Sequence, residues 1–280
     1  MSPENERFDY NRKFVFQTIL RNNRLNTYEQ YIRHALANGY TVCSMAEFYP
    51  ERNTGKHFVL RHDVDHRCSA TKKMFLVEKS LGVHSTYYFR KSTFDLELMN
   101  RMIDAGFEVG FHYETLSDYA TEKKLSCVTK EDLGICRQRL KEEIIDFNSK
   151  IKKPITSVVS HGAPKNREVG ESNNVLLENQ NYEDYGIMFE GYDKELYANC
   201  INAHIMDNNI RRNYGFSYLV TPMDAIDRNE SNIIFLAHPN HWFFDFGHWI
   251  WNLIAFACGR CTYEPNSTFK RIMDNGGLVD

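Results

Sequence analysis

From residue 57 onward, short apolar runs alternate with segments whose apolar residues recur at helical spacing. A strand over 57–65 is followed by a one-sided helix over 69–81, which Gly82 ends. The same alternation predicts, in chain order, strand 84–89, helix 94–102, strand 107–113, a helix that begins after Thr129, and strands 155–159, 186–189, 217–220 and 233–237. Strands that alternate with helices form a parallel sheet, and six or more such units favour a closed or nearly closed barrel. The sequence therefore predicts an α/β fold, a distorted parallel (β/α) barrel of about seven strands.

No linker, repeat or low-complexity tract divides the 280 residues, and 42% of them are hydrophobic, enough for a large core. The segment 1–50 is predicted to be helical, with a helix over 27–38 and a short extended stretch over 40–49. We therefore expect a single barrel domain over 1–280 that includes this N-terminal helical segment.

Charge and cysteine usage exclude several classes of protein. The 34 basic and 37 acidic residues give a net charge of −3 and form no long block of one sign, so nucleic acid is not expected as a partner. The first residues are polar, without the apolar core of a signal peptide, and the seven scattered cysteines do not suggest a disulfide framework. A cytoplasmic location is expected.

The aromatic segment 242–256 is interrupted by polar residues and too short for the roughly 20 residues of a membrane span.

Polar side chains follow four of the predicted strands at the point where each strand ends. They are Asp63 and Asp65, then His112 and Glu114, then Ser160 and His161, and finally His238 and His241. The carboxyl ends of parallel strands meet at one rim of a barrel. Two neighbouring carboxylates repel unless a cation, a proton or hydrogen bonds offset the repulsion. Imidazole and carboxylate groups together suit a divalent metal ion, expected to be zinc (Zn²⁺), with an open position for water.

These residues resemble the motifs of the polysaccharide deacetylase family, also called the carbohydrate esterase 4 or NodB-homology family, over about 57–242. Residues 60–65 are similar to the family's first motif in its Asp-x-Asp variant. That similarity implies that Asp63 is the catalytic base and that Asp65 is a metal ligand.

Three further segments resemble the remaining motifs. Residues 106–112 are similar to the second motif, which implies that His112 is a metal ligand. Residues 160–164 occupy the place of the third motif. The end of the last strand is similar to the last motif, which implies that His238 is the general acid.

Two departures from the family pattern affect the predicted site. The second motif usually carries another histidine four residues on, where this chain has Leu116. The third metal ligand must then come from elsewhere, with His161 as the first candidate and Glu114 as the second. The arginine of the third motif is also missing from 160–164. The residues that remain to orient the base are Arg61, His62 and His66.

The resemblance implies a metal-dependent hydrolase that removes an N-acyl group, acetyl or formyl, from an amino sugar or sugar precursor in surface-polysaccharide biosynthesis. Asp63 would accept a proton from water, and His238 would protonate the departing amine. His62, Glu114 and Trp242 are expected to contact the small-molecule or oligosaccharide substrate, with Trp242 packed on a sugar ring. Two alternatives stay open: a metal-free pseudo-enzyme that binds carbohydrate, and an amidohydrolase that acts on a non-sugar amide.

Overall fold

The computed structural model describes residues 24–66, 69–207 and 220–243. The strands in these ranges are β1 (Thr41–Cys43), β2 (His57–Val64), β3 (Thr86–Phe89), β4 (Glu108–Tyr113), β5 (Ser157–Ser160), β6 (Phe189–Glu190), β7 (Ala203–Met206) and β8 (Asn232–Ala237). The α-helices are α1 (Leu25–Ala37), α2 (Met45–Glu51), α3 (Ser69–Leu81), α4 (Leu96–Asp104), α5 (Thr115–Glu122), α6 (Lys130–Lys150), α7 (Pro164–Val169), α8 (Lys194–Asn199), α9 (Pro222–Asp227) and α10 (Pro239–Trp242). Short 3₁₀ helices cover Lys91–Thr93, Asn173–Leu176 and Tyr182–Tyr185.

The strands form one parallel sheet that curls into an open barrel. Seven of them follow the order β6-β5-β4-β3-β2-β8-β7, and β1 pairs with β2 beside this path. All the pairs are parallel, and β6 and β7 lie at the two ends of the order. The predicted fold class, a distorted parallel (β/α) barrel of about seven strands, is confirmed. Within the described ranges no helix is both long and apolar enough to cross a membrane.

Strand β2 is buried along its whole length because helices cover its outer face and other strands face its inner side. Leu60 belongs to the outer buried cluster that contains Tyr28 of α1, whereas Val59 belongs to the inner cluster that contains Phe189. Successive side chains of a strand point to opposite faces.

This alternation decides which polar residues of β2 enter the barrel. Arg61 and Asp63 follow Val59 into the interior, and His62 follows Leu60 to the outer face. The interior at this level is filled by Tyr88, whose hydroxyl lies 2.7 Å from Ser157 Oγ.

Gly110 on β4 makes room for that tyrosine. A Cβ atom at this position would lie 2.4 Å from two carbon atoms of the Tyr88 ring, a distance much shorter than a van der Waals contact. The guanidinium carbon of Arg61 lies 5.6 Å from the centroid of the same ring. The glycine therefore lets an aromatic ring fill the barrel beside Arg61.

The N-terminal segment differs in part from the prediction. The helix predicted over 27–38 is observed as α1, but the extended stretch expected over 40–49 is limited to β1. Ser44 then begins α2, because its side chain accepts a hydrogen bond from the Glu47 N–H while the Glu47 carboxylate accepts one from the Ser44 N–H. Strand β7 was not predicted. Most of the strand predicted over 217–220, and the first 23 residues, lie outside the described residues.

Candidate active site

Three predicted metal ligands converge at the carboxyl ends of β2, β4 and β5. Asp65 is the first residue after β2, His112 lies in β4, and His161 is the first residue after β5. The Nε2 atom of His112 lies 3.3 Å from Oδ1 of Asp65, and Nε2 of His161 lies 3.6 Å from the same oxygen. Two ligands of one tetrahedral zinc ion with bonds of 2.0–2.1 Å are about 3.4 Å apart. The three side chains are therefore spaced as ligands of one ion.

Hydrogen bonds fix both histidines in the form that a metal requires. Nδ1 of His112 lies 3.0 Å from the Val159 carbonyl oxygen, which can only accept, so Nδ1 carries the proton. Nδ1 of His161 lies 2.9 Å from Oε1 of Glu114 and donates to that carboxylate in the same way. The Nε2 lone pairs of both rings are then available to a cation.

Asp65 completes a donor set that fits a divalent metal ion. Nε2 of His238 lies 3.6 Å from Oδ2 of Asp65, and a cationic neighbour favours the ionised carboxylate. Its Oδ1 atom is buried and has no hydrogen-bond partner among the described residues. A buried anionic oxygen without a donor is costly unless a cation is bound to it.

Asp63 is held by a buried ion pair with Arg61. The distances are 3.0 Å from Nε to Oδ1 and 2.9 Å from Nη2 to Oδ2, and both residues are almost fully buried. Nη1 of Arg61 also donates to the Gly191 carbonyl at 2.9 Å, and the guanidinium stacks 4.1 Å from the Tyr192 ring centroid. Burial raises the pKa of Asp63, but Arg61 and His112 lower it below its usual value. Of the three candidates to orient this carboxylate, Arg61 is in contact with it.

His238, the first residue after β8, is paired with Asp207, the first residue after β7. Asp207 accepts hydrogen bonds from Nδ1 of His238 at 2.6 Å, from its backbone N–H at 2.8 Å and from Nε1 of Trp242 at 2.7 Å. Nε2 of His238 lies 3.6 Å from Oδ2 of Asp65. Burial lowers the pKa of His238, but the neighbouring Asp207 carboxylate raises it by more, so that the pKa is about 9. His238 therefore carries a proton at neutral pH. The sequence does not predict Asp207, because β7 was not predicted.

Asp207, His238 and His241 form a second group that could hold a metal ion on distance alone. The 2.6 Å between Nδ1 of His238 and Oδ1 of Asp207 is a hydrogen-bond distance, shorter than the separation of about 3.4 Å between two zinc ligands. Nδ1 of His241 lies 3.1 Å from the same oxygen. We therefore assign this group to the orientation of His238.

The five residues predicted for catalysis and metal binding line one open cavity of about 220 Å³. They are Asp63, Asp65, His112, His161 and His238. Tyr192, Met206 and Leu236 also line this cavity.

The structure does not bring the three residues expected to contact substrate into this cavity. His62 is fully buried on the outer face of β2, with Nε2 2.7 Å from Oε1 of Glu78. Trp242 is also fully buried, and its ring packs against Tyr28 and Phe235.

Glu114 was expected to share the face of His112 if the strand continued. Strand β4 ends at Tyr113, and the Glu114 backbone, at φ −126° and ψ 17°, is no longer extended. The Glu114 carboxylate lies between Arg90 and His161 instead of on the cavity wall.

No protein-family model matches this chain, and no curated protein matches it. Among solved structures, a family 4 carbohydrate esterase from Bacillus anthracis is similar, with a TM-score of 0.40 and 16% identity over 90% of this chain and 88% of that one. A family 4 pseudoenzyme from Bacillus anthracis is similar at a TM-score of 0.42 and 11% identity, over 81% of this chain and 63% of that one. The chain thus spans less than two thirds of the pseudoenzyme. A family 4 esterase from Streptomyces lividans has a TM-score of 0.37 and 15% identity, over 66% and 79% of the two chains. All three are described as members of carbohydrate esterase family 4.

Proposed function

We propose that the protein is a metal-dependent hydrolase that removes an acetyl or formyl group from the nitrogen of an amino sugar or sugar precursor in surface-polysaccharide biosynthesis. The observation that carries the proposal is one cavity lined by a metal donor set, an ionised carboxylate and a protonated imidazole. The motif resemblance supports the sugar and the biosynthetic setting.

Asp65, His112 and His161 would hold the ion. When bound, a divalent ion supplies Lewis acidity, which acidifies water and polarises the acyl oxygen. The residues of this chain would move the protons. Asp63 is ionised and accepts a proton from the attacking water, while Arg61 fixes the direction of its two oxygens.

His238 would donate the second proton. An amine leaves poorly as an anion, so the nitrogen must be protonated as its bond to the acyl carbon breaks. Asp207 holds the Nδ1–H of His238, which leaves the Nε2–H directed toward Asp65 and the cavity.

Metal content tests the donor set directly. Wild-type protein is expected to bind one zinc ion, and Asp65→Ala, His112→Ala and His161→Ala are expected to lose it. His84→Ala is the matched control, because His84 is an exposed histidine that pairs with Glu47. Full zinc content in all three variants would refute the proposed site. A wild-type protein that binds no zinc would favour the metal-free carbohydrate-binding alternative, which rests on the replacement of a histidine by Leu116.

Substrate assays test the reaction and the acid. N-acetyl and N-formyl amino sugars should be hydrolysed faster than non-sugar amides of the same acyl groups, and the reverse preference would support the amidohydrolase alternative. His238→Ala should slow amide hydrolysis far more than hydrolysis of an ester analogue, because an alkoxide leaves with less help from an acid. Equal losses on both substrates would argue against His238 as the acid.

A further inference from the structure

Beside the cavity, Glu114 links one predicted metal ligand to an arginine. Oε1 of Glu114 lies 2.9 Å from Nδ1 of His161 and 2.7 Å from Nη2 of Arg90, and Oε2 lies 2.7 Å from Nε of Arg90. Arg90 is the first residue after β3, and its Nη1 also donates to the backbone carbonyl of Asp65 at 3.1 Å. We propose that Glu114 and Arg90 are positioning residues that make His161 a metal ligand. The inference rests on the proposed metal-dependent function.

The two histidines differ in how their rings are held. His112 lies within β4, its side chain is 3% exposed, and its Nδ1 donates to a carbonyl of the neighbouring strand. His161 lies beyond the end of β5, its side chain is 18% exposed, and the residue that follows is Gly162. The His161 backbone N–H still donates to the Tyr113 carbonyl at 2.9 Å, but its ring Nδ1–H is accepted by a side chain, Glu114, and not by a backbone carbonyl. The orientation and the tautomer of the His161 ring therefore depend on Glu114.

Glu114 is suited to that task because Arg90 holds its carboxylate in place, with Nε and Nη2 of the guanidinium each 2.7 Å from one Glu114 oxygen. The two parallel hydrogen bonds from Arg90 fix the plane of the carboxylate, a stronger arrangement than a single bond. A carboxylate that accepts from Nδ1–H also makes the Nε2 lone pair a better electron donor to a metal.

The same contacts separate the two candidates for the third ligand. Both oxygens of Glu114 are already bonded to Arg90, and one of them also accepts from His161. Leu116, at the usual position of the third ligand, is fully buried in the hydrophobic core. His161 is thus the ligand, and Glu114 acts through it.

Zinc affinity, measured by competition with a chromogenic chelator, tests this role without measuring activity. Glu114→Gln should weaken zinc binding by about 10- to 100-fold, the usual effect of losing the hydrogen-bond partner of a metal-bound histidine. Arg90→Met should weaken it less, and the double variant should lose less than the product of the two single losses because both residues act through His161. Glu122→Gln is the matched control: it breaks an exposed two-bond pair with Arg139, and zinc affinity should not change.

A second measurement distinguishes positioning from direct ligation. X-ray absorption of protein loaded with excess zinc should show two imidazole ligands in wild type and in Glu114→Gln, and at most one for any zinc that His161→Ala still holds. If Glu114→Gln retains wild-type affinity, or if His161→Ala still shows two imidazoles, the inference is overturned while the metal site stands. If wild-type protein binds no zinc, the proposed function itself fails and takes the inference with it.

Discussion

The ion pair between Arg61 and Asp63 allows a sharp test of the site, through the substitution Arg61→Met. Methionine keeps most of the apolar length of arginine but removes the charge, so Asp63 becomes a buried carboxylate without its cation. Removing one partner of a buried pair costs about 3 to 5 kcal/mol of the free energy of unfolding. For a chain of this size that corresponds to a fall of about 6 to 20 °C in Tm.

The pH dependence of this loss follows from the pKa of Asp63. In wild type the lowered pKa contributes stability above the ordinary value of about 3.9, and that contribution is lost as the pH falls through the folded-state pKa. Without Arg61, the largest influence that opposes burial is gone, so the pKa of Asp63 rises and the ionised form becomes unfavourable. The stability difference should therefore be largest near pH 7 and shrink below about pH 4.

Urea unfolding at pH 7 and below about pH 4 measures the difference in the free energy of unfolding between the variant and wild type. The rate of hydrolysis at pH 7 should fall by about 10²- to 10⁴-fold, because a protonated Asp63 cannot act as a base. Arg139→Met is the control, since it breaks the partly exposed pairs with Glu122 and Glu143 and should cost about 0 to 1 kcal/mol. A cost for Arg61→Met no larger than that of the control, or an unchanged rate, would refute the role given to Arg61.

Three further predictions concern the same cavity and the barrel beneath it. Asp207→Asn removes the charge that raises the pKa of His238, so the high-pH limb of the rate profile, expected near pH 9, should move to lower pH; an unmoved limb would contradict the pairing. Asp63→Asn should retain zinc by elemental analysis and lose about 10² to 10⁴ in rate, whereas lost zinc would make Asp63 a ligand. Gly110→Ala forces a Cβ into the Tyr88 ring and should cost about 1 to 3 kcal/mol in urea unfolding; wild-type stability would show that the ring can move.

The sequence predicts which polar residues line the cavity wherever a strong apolar run precedes them. Asp65, His112, His161 and His238 lie in or directly after such strands, and all four line the cavity. Asp207 follows β7, whose residues are mostly half-buried. Because this strand has no continuous apolar run, the sequence pattern does not predict it.

Other differences depend on geometry that only partly shows in the sequence. Strand alternation places Arg61 on the face of Asp63 and His62 on the opposite face. The spacing alone therefore predicts that Arg61, and not His62, contacts Asp63. The burial of Trp242 depends on its packing against Tyr28 of α1, a contact between residues more than 200 positions apart that no local pattern reveals. Glu114 is not on the face of His112 because β4 ends at Tyr113, as predicted, and does not continue through Glu114.

The opposite faces of β2 carry two separate buried polar systems, and this has a consequence for how the strand finds its place during folding. Inside, Arg61 holds Asp63; outside, Glu78 accepts hydrogen bonds from His62, Tyr87 and Ser85. A shift of β2 by one residue would exchange the faces. The carboxylate of the base would then lie against that of Glu78, and the imidazole would enter the cavity in its place. Pairing of this strand in the wrong register is thus opposed by charge as well as by shape, and a one-residue insertion or deletion inside β2, between residues 57 and 61, should not be tolerated.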